Sequence, residues 1–63
     1  MATTSTIDKL VRQLDTMSKQ RKKIAVQFLA EEGLTEDDLR TKSDKALAVP
    51  ELNLNSIIFA LDY

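Results

Sequence analysis

The chain contains no cysteine, no histidine and no tryptophan, and it has one glycine, one proline, two phenylalanines and one tyrosine. Each scarcity excludes something. Without cysteine and histidine there are no disulfide staples and no ordinary zinc ligand set. The usual general base and the thiol nucleophile are missing as well. A lone glycine cannot build a Gly-rich phosphate cradle. No apolar run approaches the roughly 20 residues of a membrane span, and "MATTSTIDKL" lacks the basic flank and apolar stretch of a secretory signal. The composition points to a non-enzymatic protein of cytoplasmic location, with no cofactor, no metal and no membrane association.

What is present is a short, highly charged chain of 63 residues. At that length apolar burial barely offsets an ordering cost of roughly 1.5 kcal/mol per residue, so regular helix packing or self-association must help. The net charge of −1 hides an asymmetry: residues 1–30 carry six cations and two acids, residues 31–63 three cations and eight acids. Such a split can serve folding of one half onto the other, pairing between subunits, or a surface for an anionic partner.

Apolar residues at Ile7, Leu10, Val11, Leu14, Met17, Ile24, Ala25, Phe28 and Leu29 fall within about 140° of a helical wheel at about 100° per residue. The pattern predicts one long amphipathic helix over 6–32 behind a flexible N-terminus, 1–5. Ser5 or Thr6 can cap its start. Gly33 can stop it in the left-handed conformation, with Leu34 reaching back to Leu29. A break within "TMSKQRKK" is disfavoured because Lys19, Arg21 and Lys22 would then occupy a first turn, against the helix dipole. A helix of that length, about 40 Å at about 1.5 Å per residue, overhangs a compact globule of this size. The overhang predicts a homo-oligomer with a seam through Leu10, Leu14, Met17, Arg21, Ile24 and Phe28. Arg21 is the misfit in that seam. Its stem packs at the rim while its guanidinium reaches water or Glu31 or Glu32 of a neighbouring chain, or it is a polar residue that sets helix register, or it binds a partner. On the other side Lys9, Arg12, Lys19 and Lys23 share a sector about 80° wide that could face an anionic partner.

"FLAEEGLTEDDLR", residues 28–40, has the outline of a helix-turn-helix. Thr35 and Asp38 form a capping-box-like pair, and Glu36, Asp37 and Asp38 suit the start of a second helix over 35–48, with Leu39, Ala46 and Leu47 on one face. Three carboxylates at that start would repel DNA, so this element does not read as a recognition helix. Pro50 bounds it and keeps Val49 out of the helix. In the apolar segment 50–63, Asn55 is a candidate N-cap with a Leu54–Phe59 staple, placing Ile57, Ile58 and Leu61 on one face of a third helix. The alternative for residues 56–63 is a strand, favoured by the β propensity of Ile57, Ile58, Phe59 and Tyr63.

The expected class is therefore all-α: one long helix and one or two short ones in a single domain, packed as a homo-oligomeric helical bundle. The expected activity is protein binding, as a small regulator, inhibitor or adaptor, with Ile58 and Phe59 joining the seam residues as the partner or self-association surface. One alternative is a nucleic-acid-binding regulator using Lys9, Arg12, Lys19 and Lys23. That face lacks aromatic residues for base stacking and an asparagine for base readout. A second alternative is a structural assembly component.

Overall fold

The computed structural model describes residues 2–62, and over them the chain is all-helical, with no strand among the described residues. Five helices follow one another: α1 Thr4–Thr16, α2 Lys19–Glu31, α3 Glu36–Thr41, α4 Asp44–Ala48 and α5 Glu51–Leu61.

The long helix expected over 6–32 is two helices. Met17 is extended (φ −83°, ψ 150°) and Ser18 is the N-cap of α2, its hydroxyl accepting from the Arg21 backbone N–H at 3.4 Å. At the end of α1 the Thr16 hydroxyl donates to the Gln13 carbonyl at 3.0 Å. The cations that argued against a break do lie in the first turn of α2, but two have tertiary partners. Lys22 pairs with Glu36 at 3.2 Å, and Arg21 donates to the backbone carbonyl of Leu61. Specific contacts within the fold thus outweigh a dipole penalty of a few tenths of a kcal/mol to about 1 kcal/mol per exposed charge.

Folding back at residue 17 removes the overhang. A straight helix from Thr4 to Glu31 would span about 42 Å, whereas the chain measures 28 × 19 × 19 Å with a radius of gyration of 10.3 Å. Apart from Ile24, the apolar stripe of α1 and α2 is largely covered within one chain, chiefly by α5, which packs on both, and by α3 against α1.

The turn after α2 forms as its sequence dictates. Gly33 adopts φ +73°, the Leu34 N–H donates to the Leu29 carbonyl and the Gly33 N–H to the Ala30 carbonyl, each at 2.9 Å. This is the Schellman pattern, which a glycine at that position permits. Thr35 and Asp38 then cap α3 reciprocally, at 3.2 Å and 3.0 Å.

The single helix expected over 35–48 is instead split. Lys42 takes the left-handed conformation (φ 51°, ψ 51°), and Ser43 caps α4 through its hydroxyl at 3.3 Å from the Ala46 N–H. The Ser43 hydroxyl also donates to Asp38 at 3.0 Å. A mid-helix serine that could instead cap a new helix is the local cause.

Pro50 stands at the N-cap of α5, so this helix begins five residues before the expected Asn55 cap and absorbs Leu54 as a fully buried residue. The Leu54–Phe59 staple is accordingly absent, and the strand alternative over 56–63 gives way to helix as far as Leu61. Tyr63 lies outside the described residues. Proline is well placed at a helix start, where its missing N–H has no intrahelical partner to lose.

Of the expected flexible segment 1–5, Met1 lies outside the described residues and the rest is tied down. The Ala2 N–H donates to the Leu47 carbonyl at 3.2 Å, and Thr3, not Ser5 or Thr6, caps α1. Thr3 and Thr6 both donate to Glu51, at 2.9 and 2.6 Å, which pins the start of α1 to the start of α5.

The core draws on every helix. Among the described residues, Ile7, Leu10 and Leu14 from α1, Leu29 from α2, Leu39 from α3 and Leu54 from α5 are the largest fully buried side chains, and no polar or charged residue is buried with them. Each is worth about 1.5–3 kcal/mol in apolar burial.

Candidate interaction surface

The residues expected to form an intermolecular seam separate into two groups. Leu10 and Leu14 are core residues of the single chain, as is Ile58. Met17 is half-buried at the α1–α2 corner, and Phe28 is half-buried on α2. Ile24 is 52% exposed and Phe59 77% exposed. The break at Met17 and Ser18 is the reason: it rotates α2 relative to α1, so Ala25 and Leu29 face the core and Ile24 turns away. The Arg21 guanidinium donates to the Leu61 carbonyl at the C-terminal end of α5 in the same chain, a contact that none of the readings of Arg21 anticipated. Glu32 meanwhile accepts from the Asn53 side-chain amide at 3.0 Å.

These last two contacts fix the relation of α2 and α5. The end of α2 lies beside the start of α5 and the start of α2 beside the end of α5, so the helices run antiparallel. Between them lies an open groove of about 360 Å³ lined by Phe28, Glu31 and Glu32 from α2 and by Asn53, Ser56, Ile57 and Ala60 from α5. Phe28, Ile57 and Ala60 supply its apolar lining, Asn53 and Ser56 its neutral polar groups, and Glu31 and Glu32 come from the C-terminal end of α2.

Next to the groove, the outer face of α5 carries Leu52 at 76% exposure together with Phe59. Seven residues apart on one helix, the two project within about 20° of each other, with Asn55 and Ser56 between them. Leu52 was missed by sequence reasoning because a helix starting at Asn55 excludes it. Starting the helix at Pro50 exposes the pairing. Between Glu51 and Asp62 the sequence has no charged residue.

A different side of the molecule is polar and internally satisfied. Arg40 bridges Asp15 at 2.6 Å and Glu36 at 2.8 Å, Glu36 pairs with Lys22, and Lys42 pairs with Asp8 at 3.0 Å. The Arg40 guanidinium holds the carboxyls of Asp15 and Glu36 below their ordinary range. The Thr35 backbone N–H, with Ser43, does the same for Asp38. Of the acids at the start of α3, Glu36 is therefore engaged in ion pairing and Asp38 in capping. Two of the three inter-half pairings, Asp8–Lys42 and Asp15–Arg40, join acids of the basic half to bases of the acidic half. Folding leaves the charge asymmetry on the surface.

The candidate anionic-partner face is divided by the break: Lys9 and Arg12 lie on α1, Lys19 and Lys23 on α2, all four exposed. Lys19, Lys22 and Lys23 line a shallow concavity with Val26 and Gln27, separate from the acidic groove. A third, smaller concavity at the α1–α2 corner includes Gln13, Thr16, Met17, Ser18 and Arg21. There the Gln13 side-chain amide donates to the Ile58 carbonyl at 3.1 Å, and its Oε1 is buried with no hydrogen-bond partner among the described residues.

Comparison with protein families, with curated proteins and with solved structures finds no match. Among the described residues no helix is long and apolar enough to cross a membrane. The geometry is thus the ground for a functional reading.

Proposed function

We propose that this protein is a non-enzymatic protein-binding module, acting as a regulator, inhibitor or adaptor, and that its working surface is the α2–α5 face. The observation that carries this reading is the exposure of Leu52 and Phe59 on one face of α5, beside the Phe28–Ile57 groove. Two large apolar side chains exposed on one helix face, with Asn55 and Ser56 between them, support an interaction site, and an aromatic anchor beside a groove is the usual centre of a binding hot spot. The chain buries its core without a partner, so exposure at these positions is not a folding requirement.

Self-association was expected from a helix overhang that the fold does not have. The basic residues of α1 and α2 support nucleic-acid binding less well, because they are split between two helices and carry no exposed aromatic side chain among them.

The test is capture from lysate of the source cells with the wild-type chain and with Phe59→Asp. Phe59 contributes little to the core, so the variant keeps the helical circular dichroism of the wild type. Loss of a specific bound protein on this change supports the reading. Capture that persists in Phe59→Asp and disappears on reversing Lys19 and Lys23 to Glu moves the working surface to the basic side.

A further inference from the structure

The groove has a charge pattern that selects its occupant. Glu31 and Glu32 stand at the end where α2 finishes and α5 begins, Asp62 follows the other end of α5, and α5 contributes no Lys or Arg. Arg21, near the C-terminal end of α5, lines a different concavity and is engaged with the Leu61 carbonyl. The cations Lys19, Lys22 and Lys23 line a separate concavity. The apolar side chains of Phe28, Ile57 and Ala60 beside the carboxylates of Glu31 and Glu32 are complementary to an apolar stripe flanked by cations.

The shape points the same way. Two antiparallel helices with small residues lining the groove between them, Ser56 and Ala60, leave space for a third helix to approach closely, packing by ridges and grooves. Phe59 and Leu52 then stand along one side of that third helix as a lip. A peptide helix presenting large aliphatic residues at i, i+3 or i+4, and i+7 fits such a lining.

A second copy of this chain fits poorly. Pairing α5 with α5 in the antiparallel sense brings Asp62 of one copy toward the Glu31 and Glu32 end of the other, and in the parallel sense it sets those glutamates against their counterparts. The cationic face of α1, with Lys9 and Arg12, includes none of the large exposed apolar side chains. The concavity beside Lys19, Lys22 and Lys23, about 500 Å³, has Val26 as its one large apolar lining residue, and Ile24, 52% exposed, adjoins Lys23 in sequence.

From this we infer that the α2–α5 groove binds a basic amphipathic helix of another protein, with aliphatic anchors on Phe28, Ile57 and Ala60 and a lysine or arginine against Glu31 and Glu32. The inference rests on the protein-binding reading above and names the chemistry of the partner.

Two synthetic peptides test it, both amphipathic helices with the same leucine stripe, one flanked by lysines and the other by glutamates. Fluorescence anisotropy with the full chain gives about tenfold tighter binding of the lysine peptide at low salt, a gap that narrows as salt rises. Amide resonances of Ser56, Ile57 and Ala60 shift on titration. Glu31→Lys, at an exposed position, cuts the preference several-fold, and Ala60→Arg abolishes binding with helicity retained.

Equal affinity for the two peptides overturns the inference, as do shifts confined to the Lys19–Val26 concavity. A dimer by light scattering that Ala60→Arg dissociates also overturns it, by showing a second copy in the groove. Failure of this inference is distinct from failure of the protein-binding reading. If Phe59→Asp loses its cellular partner while the lysine peptide fails to bind, the module stands and the basic helix falls.

Discussion

The guanidinium of Arg21 donates to the backbone carbonyl of Leu61, so a side chain in the first turn of α2 caps the last turn of α5. The last carbonyls of a helix have no intrahelical donor, and a cation there also complements the dipole. Arg21→Leu should therefore destabilise the chain by about 1 kcal/mol, which for a domain of this size lowers the thermal midpoint by about 4–8 °C. Arg21→Lys should recover part of the loss. A leucine variant as stable as the wild type, or more so, would contradict the capping role.

Ser18 makes the corner between α1 and α2. Ser18→Ala removes the acceptor for the Arg21 N–H and should cost about 1 kcal/mol, read as a lower urea midpoint with unchanged slope. Ser18→Asp should retain the cap. Equal stability of the alanine variant would mean that the corner is held by tertiary packing alone.

Lys42 adopts φ 51° without being glycine or asparagine. The left-handed conformation costs an ordinary residue about 1–2 kcal/mol, and its exposed ion pair with Asp8 is worth at most about 1 kcal/mol. Lys42→Gly should raise the thermal midpoint, by a net of about 0.5–1 kcal/mol after allowing for the greater freedom of glycine in the unfolded chain. A fall in stability would show that the Asp8 contact outweighs the backbone cost.

Glu51 accepts from Thr6 and Thr3, and these hydroxyls hold its carboxyl below its ordinary value of 4.5. A carboxylate with a depressed folded-state pKa contributes stability that is complete above the unfolded value and is lost as pH falls through the folded one. Asp15, Glu36 and Asp38 act in the same sense. The urea midpoint should hold steady toward neutral pH and decline below about 4.5. Thr6→Val should blunt that decline. A midpoint that stays flat from pH 5 to about pH 3 would count against the network.

Leu10 and Ile24 sat in one expected seam, and the fold separates them into a fully buried and a half-exposed residue. Leu10→Ala should cost about 2–5 kcal/mol, enough to unfold much of the chain, whereas Ile24→Ala should stay within about 0.5 kcal/mol. Comparable losses at both positions would restore Ile24 to a buried interface and, with it, an oligomer.

Most of the local punctuation was legible in the residues. Gly33 with Leu34, the Thr35–Asp38 box, the exclusion of Val49 from helix and the shared face of Ile57, Ile58 and Leu61 all follow from short-range sterics and hydrogen bonding, which need no knowledge of the rest of the chain. The candidate groove was legible only in part. Phe28 and Phe59 were singled out from the sequence, while Leu52 and the pairing of α2 with α5 were not.

The sequence by itself determined an amphipathic helical first half, a glycine stop and an acidic helix start, because each depends on periodicity or on neighbours within about four residues. Only the tertiary structure decided that the amphipathic stripe folds back at Met17 and Ser18. A continuous helix and two capped helices differ locally by about a kcal/mol of capping and dipole energy. The choice falls to contacts far apart in sequence: Arg21 with Leu61, Lys22 with Glu36, and the burial of Leu54, Ile57 and Leu61 of α5 in the core beneath both helices. That one decision turned Ile24 outward, divided the basic face and created the α2–α5 groove.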